Sequence, residues 1–329
     1  MTTGDRPPCP ICESPSEAWA TTTDVEYRTS DAVWTYWRCV RCCTLFLDEP
    51  PEERLAEIYP ADYYSYDTER SLAFRLKERL DRRTLRALCS RVGGDDLRLL
   101  DVGGGSGSMA SIVRRIEPRV TESVVLDLDD RAAAPAEAAG HRFVASRVED
   151  FDEDDGFDLI LMLNLVEHVS DPVSVLAGVR RLTKPGGLVL VKTPNVESLD
   201  AKVLRNRNWG GYHAPRHWVL FTPETFRSVA QRAGFVVDRL TLTQGGPFWA
   251  VGIMSVLEHR GLLHRKASQA MVHHPLYGPL AAAFAAFDLV RARVGGRTSQ
   301  MFVELRRAPD AEVRPRSRTD NPDSGVAED

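Results

Sequence analysis

The chain of 329 residues is 43% hydrophobic and 27% charged, with a formal net charge of -5 and a pI near 6.0. This composition suffices for one large or two modest domains with a hydrophobic core, and the acidic balance excludes a general attraction to phosphate backbones. No apolar run is long enough to span a bilayer, and residues 1–10 lack the hydrophobic centre of a signal peptide, so we expect a cytoplasmic protein.

The cysteines predict a metal site near the N-terminus. Four of the six form two Cys-x-x-Cys pairs, Cys9 with Cys12 and Cys39 with Cys42. A two-residue spacer lets both thiolates of a pair face one ion, and two pairs supply four ligands for a closed tetrahedral zinc site. We therefore predict a zinc-ribbon domain over residues 1–50 with a structural zinc ion. Cys43 directly follows and is an alternative ligand, although we expect a partly buried free thiol there.

Residues 51–92 are predicted to form a helical linker that caps the next domain. The pattern is helical from Pro51 to Tyr59, and leucines recur near one face between Ser71 and Ser90. Tyr63 and Tyr64 belong to an aromatic cluster between these helices. Two interpretations of this cluster stay open: it packs the cap onto the next domain, or it lines a ligand pocket.

A glycine-rich turn follows the linker. The apolar run from Leu97 ends in Asp101, and Gly103, Gly105 and Gly107 precede a helical pattern. This order predicts a strand, a tight turn and a helix. Glycine permits φ > 0 and leaves the backbone bare for a ligand. Because the acid precedes the glycines, the pattern differs from the dinucleotide fingerprint, and Gly-Lys-Ser/Thr of a P-loop is absent from it.

Two further predicted strands end in polar residues. The apolar run 124–126 ends at Asp127, and Asp129 is a candidate cap of the next helix. A carboxylate such as Asp127 at this position can accept hydrogen bonds from both hydroxyls of a ribose. The unbroken apolar run 159–163 predicts a strand buried on both faces, and Asn164 follows it. Open α/β folds bind ligands at the carboxyl ends of such strands.

Three more motifs occur in order after the glycine turn: Phe157-Asp-Leu-Ile, Glu167-His-Val-Ser-Asp-Pro172 and Leu182-Thr-Lys-Pro-Gly-Gly187. Together with Asp101-Val-Gly-Gly-Gly-Ser-Gly107, they resemble the motifs of class I S-adenosylmethionine (SAM) dependent methyltransferases, over roughly residues 97–305. The resemblance implies an α/β protein whose Rossmann-like, seven-stranded, doubly wound sheet occupies residues 93–307. A helical insertion at about 250–296 is expected before the last strand, and SAM is the expected cofactor beside the structural zinc.

The resemblance also implies how the cofactor is held. The three glycines pass under the methionine moiety, Asp101 orients that loop or the amino group, and Asp127 binds the ribose. Asn164 and Leu165 are expected in the floor of the pocket. Val148 and Glu149 are expected beside the adenine.

The adenine contacts are the point where the sequence departs from the family. Arg147 stands where family members usually carry an Asp that contacts the adenine amino group. Either a backbone carbonyl or Glu149 replaces that contact, or the adenine packs only against apolar groups such as Val148 and Leu128.

Histidines are the candidates for the catalytic base. An acceptor hydroxyl must lose its proton as the methyl group arrives, and imidazole suits that task. A Pro-Arg-His segment that recurs in the family contains His217, which we favour, and the same loop contains His213, our second choice. His168 is the third candidate. For His217 and His168, bracing of the loop or helix stays an alternative, and Arg216 either clamps an anionic group or pairs with an acid.

The C-terminal third contains the insertion and a polar tail. Helices between Ala250 and Gly296 are expected to form a lid or a dimer contact in a monomer or homodimer. An interfacial helix that touches lipid-linked acceptors is the alternative, which allows peripheral membrane contact. Residues 308–329 are polar and Pro-rich, and we predict that they are disordered.

We expect a small-molecule acceptor, with an oxygen of a sugar or natural-product intermediate before carbon or nitrogen. Sugar C-methyltransferases resemble the chain through the ribbon, the tyrosines and Glu167-His168, but carry a second Rossmann-like domain for which too little sequence remains. Ribosomal RNA methylation is disfavoured by the acidic balance and by Asn164-Leu-Val, which replaces the Asn/Asp-Pro-Pro-Tyr/Phe of base-amino methyltransferases. A non-catalytic binding module is the remaining alternative, against which the glycines and Asp127 argue.

Overall fold

A computed structural model describes residues 6–60, 82–206, 208–266 and 269–309. Tyr63 and Tyr64, most of the leucine-rich segment from Ser71 and nearly all of the predicted disordered tail lie outside the described residues. Within the described part, the strands form a four-stranded sheet and a seven-stranded sheet.

The small sheet combines the N-terminal region with a much later segment. Its strands, in spatial order, are β1 (Ser16–Thr22), β2 (Trp34–Cys39), β3 (Leu45–Leu47) and β9 (Val219–Leu220). All neighbours are antiparallel, and Leu45 pairs with Leu220 in the ladder between β3 and β9. The backbone N–H of Leu47 also donates to the carbonyl of Trp218 at 2.8 Å. The predicted ribbon is therefore closed by a strand from the loop that carries the candidate histidines.

The large sheet confirms the predicted Rossmann-like fold. Its strands are β4 (Leu97–Val102), β5 (Val120–Asp127), β6 (Arg142–Ala145), β7 (Phe157–Leu163), β8 (Thr183–Pro194), β10 (Phe235–Thr243) and β11 (Gln300–Arg307). The spatial order is β10-β11-β8-β7-β4-β5-β6. Strand β11 is antiparallel to both of its neighbours, and the other pairs are parallel.

Alternation along the central strands explains why both faces of this sheet are covered. Leu100 and Ile160 belong to the hydrophobic cluster on one face, whereas Leu99 and Leu161 belong to the cluster on the other. Successive side chains of a strand point to opposite faces, so an unbroken apolar run places hydrophobic groups on both sides. Helices must then pack on each face to exclude water.

The helices are α1 (Leu55–Ile58), α2 (82–89), α3 (Ser108–Ile116), α4 (Ala133–Ala138), α5 (Pro172–Leu182), α6 (Leu199–Val203), α7 (Pro223–Arg232), α8 (Gly246–His259) and α9 (Tyr277–Arg293). Local sequence sets several of their ends. The Asp171 side chain accepts hydrogen bonds from the N–H groups of Val173 and Ser174 and so caps α5, whose first residue is a proline.

Helices α8 and α9 form the predicted insertion between β10 and β11. They pack against each other, with the rings of Trp249 and Phe284 stacked at 4.8 Å. The buried carboxylate of Asp288 anchors α9 by accepting hydrogen bonds from the Gly245 N–H and the Ser299 hydroxyl. Across the four described ranges, none of the helices combines the length and the apolar character that a membrane crossing requires.

Candidate active site

A cavity of about 1060 Å³ opens at the carboxyl edge of the large sheet, where β4, β5 and β7 end. Its walls include nearly all of the residues predicted to hold the cofactor: Asp101, Gly103, Gly105, Asp127, Val148, Glu149, Asn164 and Leu165. These residues come from four separate segments of the chain. They meet because parallel strands present their carboxyl ends at one edge of the sheet.

The glycine turn links three of these strand ends. The N–H of Gly103 donates to the carbonyl of Leu126 at 2.7 Å, and the N–H of Gly105 donates to Asp127 Oδ2 at 2.9 Å. Gly103 has a φ of 68°, and a Cβ there would lie 3.0 Å from Leu165 Cδ1. The turn thus needs glycine both for its backbone conformation and for its approach to the Leu165 side chain.

Gly107 stands apart from the other two predicted glycines. It is not among the residues that line the cavity, and its φ of 71° places it at the start of α3. A Cβ at Gly107 would lie 2.6 Å from Cδ2 of His141. This glycine is therefore required by packing against β5 and His141.

Two acids at the strand ends differ in their surroundings. Asp101 is buried, and burial together with the nearby charge of Asp127 raises the pKa of Asp101 to about 7, although the N–H of Ala110 donates to it. Asp127 is partly exposed, and its Oδ1 accepts a hydrogen bond from the N–H of Asp129 at 3.0 Å. Asp127, which is the more exposed of the two, is thus the more accessible to a ligand.

Asp129 has the capping role that the sequence predicted. Its side chain accepts a hydrogen bond from the N–H of Arg131 at the start of a short 3-10 turn and also pairs with the guanidinium of that residue. Acidic residues nevertheless outnumber basic ones in the lining of the cavity. The acidic residues are Asp101, Asp127, Asp129, Asp130, Glu149 and Asp171, and the basic ones are Arg131, Arg147 and Lys192. Such a charge balance favours a cationic ligand.

The residues that line the cavity also include His168, Tyr59, Trp218 and Lys192. The hydroxyl of Tyr59 lies 2.8 Å from His168 Nδ1. Asn164 has a φ of 56°, unusual for a residue with a side chain, and its N–H donates to the carbonyl of Lys192 at 2.8 Å. Asparagine adopts this left-handed conformation more readily than most residues, and here it links the end of β7 to β8.

His168 belongs to a group that we call the histidine cluster, formed by Glu167, His168, His213 and His217. The ring centroids of His168 and His217 are 4.6 Å apart, and those of His213 and His217 are 4.9 Å apart. The Nδ1 atom of His217 lies 2.8 Å from the carbonyl of Gly211, to which it donates, so the unprotonated nitrogen is Nε2. That Nε2 atom lies 4.0 Å from Glu167 Oε1.

Burial dominates the electrostatics of the cluster. It raises the pKa of Glu167 to about 8, although Thr193 and Lys192 oppose this rise. Burial, followed by the charge that His213 would carry, lowers the pKa of His168 to about 3, and burial also holds the pKa of His217 well below its usual value. Both imidazoles are therefore neutral near pH 7 and offer a lone pair.

The three histidines named in the sequence analysis have different positions. His168 lines the cavity, whereas His213 and His217 do not and are both buried behind it. Nδ1 of His213 lies 2.7 Å from an oxygen of Glu26, which belongs to the segment after β1. Sequence reasoning did not single out Glu26 or Lys192. Of these two residues, only Lys192 could have been noticed in the sequence, because a lysine interrupts the otherwise apolar run of β8.

The four predicted zinc ligands also come together. The ligand atoms of Cys9, Cys12, Cys39 and Cys42 all lie within 4.8 Å of one another. Two Sγ pairs are 3.6 and 3.4 Å apart, close to the roughly 3.8 Å expected between thiolates on one tetrahedral zinc. Cys43 is outside this group, and its Sγ accepts a hydrogen bond from Arg38.

The seven-stranded sheet with an antiparallel β11, and the cavity between a glycine turn and the acid that ends β5, define a class I SAM-dependent methyltransferase. The chain belongs to the methyltransferase domain family, whose model matches residues 72–240, just over half of the sequence.

Relatives within this class are distant. A ubiquinone biosynthesis O-methyltransferase of Cereibacter sphaeroides (strain ATCC 17029 / ATH 2.4.9) is 27% identical over an alignment of 180 residues, which covers 47% of this chain and 67% of that protein. Its counterpart in Bradyrhizobium sp. (strain ORS 278) is 32% identical over 120 residues, 35% of this chain and 43% of that protein. Among solved structures, the N-methyltransferase NodS of Bradyrhizobium japonicum WM9, in complex with S-adenosyl-L-homocysteine, covers 80% of this chain and 100% of its own at 13% identity and a TM-score of 0.45.

Proposed function

We propose that the protein transfers the methyl group of SAM to an oxygen of a small molecule, such as a sugar or a natural-product intermediate. One observation carries this proposal: a single cavity extends from the glycine turn to His168. Such a cavity has room for the donor at one end and for an acceptor at the other. A group that can receive the proton of the acceptor then lies beside the acceptor end.

We infer the position of SAM in the cavity from the residues at the carboxyl ends of the strands. We place the methionine moiety over Gly103 and Gly105, with Asp101 beside its ammonium group. The ribose lies against Asp127, and the adenine lies between Val148 and Glu149. The acidic excess around the cavity supports this placement, because the sulfonium and ammonium groups of SAM are both positively charged.

The acceptor end lies at the histidine cluster. Methyl transfer is an in-line displacement in which the acceptor oxygen forms a bond to the methyl carbon and the sulfonium sulfur takes the electron pair of the broken bond. The protein has to align these atoms, exclude water and take the proton of the acceptor. We propose that this proton is taken up at the cluster, since His168 borders the cavity and its ring lies 4.6 Å from that of His217. The burial that lowers the pKa of both imidazoles makes each a weaker base than a free histidine.

A small-molecule acceptor is supported by the charge of the cavity. A site lined by an excess of acidic groups repels the phosphate backbone of a nucleic acid. The relatives from Cereibacter sphaeroides and Bradyrhizobium are both named as O-methyltransferases, which favours oxygen as the methylated atom.

We propose that the four-cysteine cluster holds a structural zinc ion. All four ligand positions are filled by sulfur, so water has no open position on the metal. The side-chain hydroxyl of Thr225 donates to the carbonyl of Cys42 at 2.9 Å, and β3 pairs with β9. The zinc would therefore hold both the ribbon and the loop that carries His213 and His217.

Radiolabelled methyl transfer tests the proposal. The purified protein is incubated with methyl-labelled SAM and a metabolite extract of the source organism, and extracted small molecules and RNA are counted separately. We expect label in small molecules, and we expect His168→Asn to lower the rate at least about 100-fold, since general acid–base groups contribute roughly 10²–10⁴-fold. His273→Asn is the matched control, because His273 is an exposed histidine outside the cavity.

The outcomes separate the alternatives. Label in RNA would replace the small-molecule proposal with RNA methylation. If neither the small molecules nor the RNA carry label although SAM binds measurably, the result would favour a non-catalytic binding module. A product whose new methyl is bonded to carbon or nitrogen, seen by NMR, would correct the acceptor atom alone.

A further inference from the structure

Glu167 is a buried carboxylate without a hydrogen-bond partner. Its side chain is fully buried, and neither Oε1 nor Oε2 has a partner within the described residues. The Thr193 hydroxyl and the backbone N–H of Glu167 itself both lie near enough to lower the pKa of the carboxyl group, but neither makes a hydrogen bond of normal geometry to it. Buried polar groups are almost always paired, so a carboxyl group at this depth without a well-formed hydrogen bond is a candidate for binding an ion.

Two imidazoles lie beside this carboxylate. One ligand atom each of Glu167, His168 and His217 lies within 4.8 Å of the other two. His217 is oriented by its hydrogen bond to the carbonyl of Gly211, which leaves Nε2 facing Glu167 at 4.0 Å. A metal-binding histidine is commonly oriented in this way, by donating its other ring nitrogen to a backbone carbonyl.

We propose that Glu167, His168 and His217 form a second metal site, which binds a zinc ion. Two histidines and one carboxylate make up a catalytic type of zinc site, in which three protein ligands leave a position open. Magnesium and calcium prefer sites built from oxygen alone, and methyl transfer requires no redox-active metal. Zinc is therefore the ion that best matches these ligands.

The distances match a site that closes around its ion. Ligand atoms on one tetrahedral zinc lie about 3.3–3.5 Å apart when the bonds are about 2.0–2.1 Å. The separation of 4.0 Å between His217 Nε2 and Glu167 Oε1 exceeds this by about 0.5 Å, and the upper limit of 4.8 Å for the whole set exceeds it by about 1.5 Å. The three ligand atoms would have to move together by up to these amounts when the ion binds.

The open position would lie on the side of the cavity. Among the three ligands, His168 is the residue that lines it, so an oxygen-bearing molecule in the acceptor end would approach the ion past this ring. This role of the ion rests on the proposed function, whereas zinc binding itself does not. With the ion bound, the lone pairs of His168 and His217 would serve as ligands, so the ion would take the place of proton uptake at the cluster. It would hold an acceptor hydroxyl and favour its ionised form, and the proton would pass to water.

Metal counting tests the inference. The full chain is loaded with excess zinc, desalted and analysed by inductively coupled plasma mass spectrometry. We expect two zinc ions per chain in the wild type and one in Glu167→Gln and in His217→Asn. His213→Asn is the matched control and should keep two, because His213 touches the cluster but is outside the ligand set.

Cobalt substitution gives a readout that needs no variant. Cobalt in the four-cysteine site has intense thiolate charge-transfer bands, whereas cobalt on nitrogen and oxygen ligands has only weak visible bands. We expect both signatures in the wild type and loss of the weak bands alone in Glu167→Gln. One zinc per chain in the wild type, two in both cluster variants, or thiolate bands alone would each overturn the inference.

A SAM titration by calorimetry on the same samples separates the two proposals. SAM binding with a single zinc ion would overturn the second metal site and leave the proposed function intact. Two zinc ions per chain without SAM binding would support the second metal site and overturn the proposed function. Circular dichroism identifies any variant that fails to fold, and His168→Gln then replaces it.

Discussion

Arg216 and Asp24 form a doubly hydrogen-bonded ion pair in which both side chains are fully buried. Nη2 of Arg216 donates to Asp24 Oδ2 at 2.9 Å, and Nη1 donates to Oδ1 at 3.2 Å. Nε of the same guanidinium donates to the carbonyl of Ile58 at 2.6 Å. Because Arg216 immediately precedes His217, this pair ties the segment after β1 to the backbone of the histidine cluster.

Loss of this ion pair should destabilise the protein strongly. Asp24→Asn leaves the guanidinium buried without a counter-charge, for which we expect a loss of about 3–5 kcal/mol in the free energy of unfolding. Urea denaturation followed by tryptophan fluorescence measures it. The exposed Asp31→Asn is the control, with an expected change within about 0.5 kcal/mol.

The same pair predicts sensitivity to acid. Burial alone would raise the pKa of Asp24, but its bonds with Arg216 and Thr29 prevail and lower the pKa to about 2. A carboxylate with a depressed pKa stabilises the folded state above its unfolded pKa, and that contribution disappears as the pH falls towards 2. Equal destabilisation by Asp24→Asn at pH 7 and pH 2 would contradict this account.

We expect Cys39 to be a zinc ligand and Cys43 not to be one. Cys39→Ser is expected to lose stoichiometric zinc and to lower the melting temperature, because the metal contributes to folding. Cys43→Ser should keep the zinc, since Cys43 lies outside the group of four. Zinc content and differential scanning calorimetry on both variants measure this, and a fully folded, zinc-free Cys39→Ser protein would refute the structural role.

The acids that follow β5 should differ in their effect on SAM affinity. Asp127→Asn removes the charge that we place against the ribose, and a hydrogen bond to a charged group contributes about 1.5–3 kcal/mol, or roughly 10–100-fold in affinity. Asp129→Asn is the matched control, because the Asp129 side chain is engaged by Arg131. Isothermal titration calorimetry compares them, and equal affinities in both variants and the wild type would exclude the ribose placement.

SAM binding should depend on pH through Asp101. Its pKa of about 7 means that the carboxyl is largely protonated below pH 7, whereas the ammonium group of SAM favours the ionised form. Affinity is therefore expected to fall as the pH drops from 8 to 5.5, by up to about tenfold per pH unit below 7. Titrations in buffers of different ionisation enthalpy should also show proton release on binding at pH 6.5. In Asp101→Asn, both effects should disappear.

Gly107 should matter for stability rather than for cofactor contact. Gly107→Ala places a Cβ 2.6 Å from the His141 ring at a φ of 71°, so we expect a loss of about 1–3 kcal/mol. Gly93→Ala is the control, because no atom lies within 4 Å of its added Cβ. Thermal unfolding measures both, and an unchanged melting temperature in Gly107→Ala would contradict the packing role.

Much of the cofactor end followed from local sequence. The glycine turn, Asp127 and Asn164 were all predicted at strand ends, and the structure brings all three to one cavity. This was foreseeable because parallel strands in an open α/β sheet deliver their carboxyl ends to one edge, whatever the rest of the chain does. The two Cys-x-x-Cys pairs were equally readable, since ligand spacing is a local property.

The histidine end was decided by tertiary structure. His168 and His217 are far apart in sequence, and both were candidates for the same task, yet His168 alone of the two borders the cavity. The position of His217 relative to the cavity is set by two contacts between distant segments. These are the pairing of β3 with β9 and the ion pair between Asp24 and Arg216. No periodicity or spacing records such contacts. The amino-acid sequence by itself thus determined the sheet and the cofactor edge, whereas long-range packing decided which side chains surround Glu167.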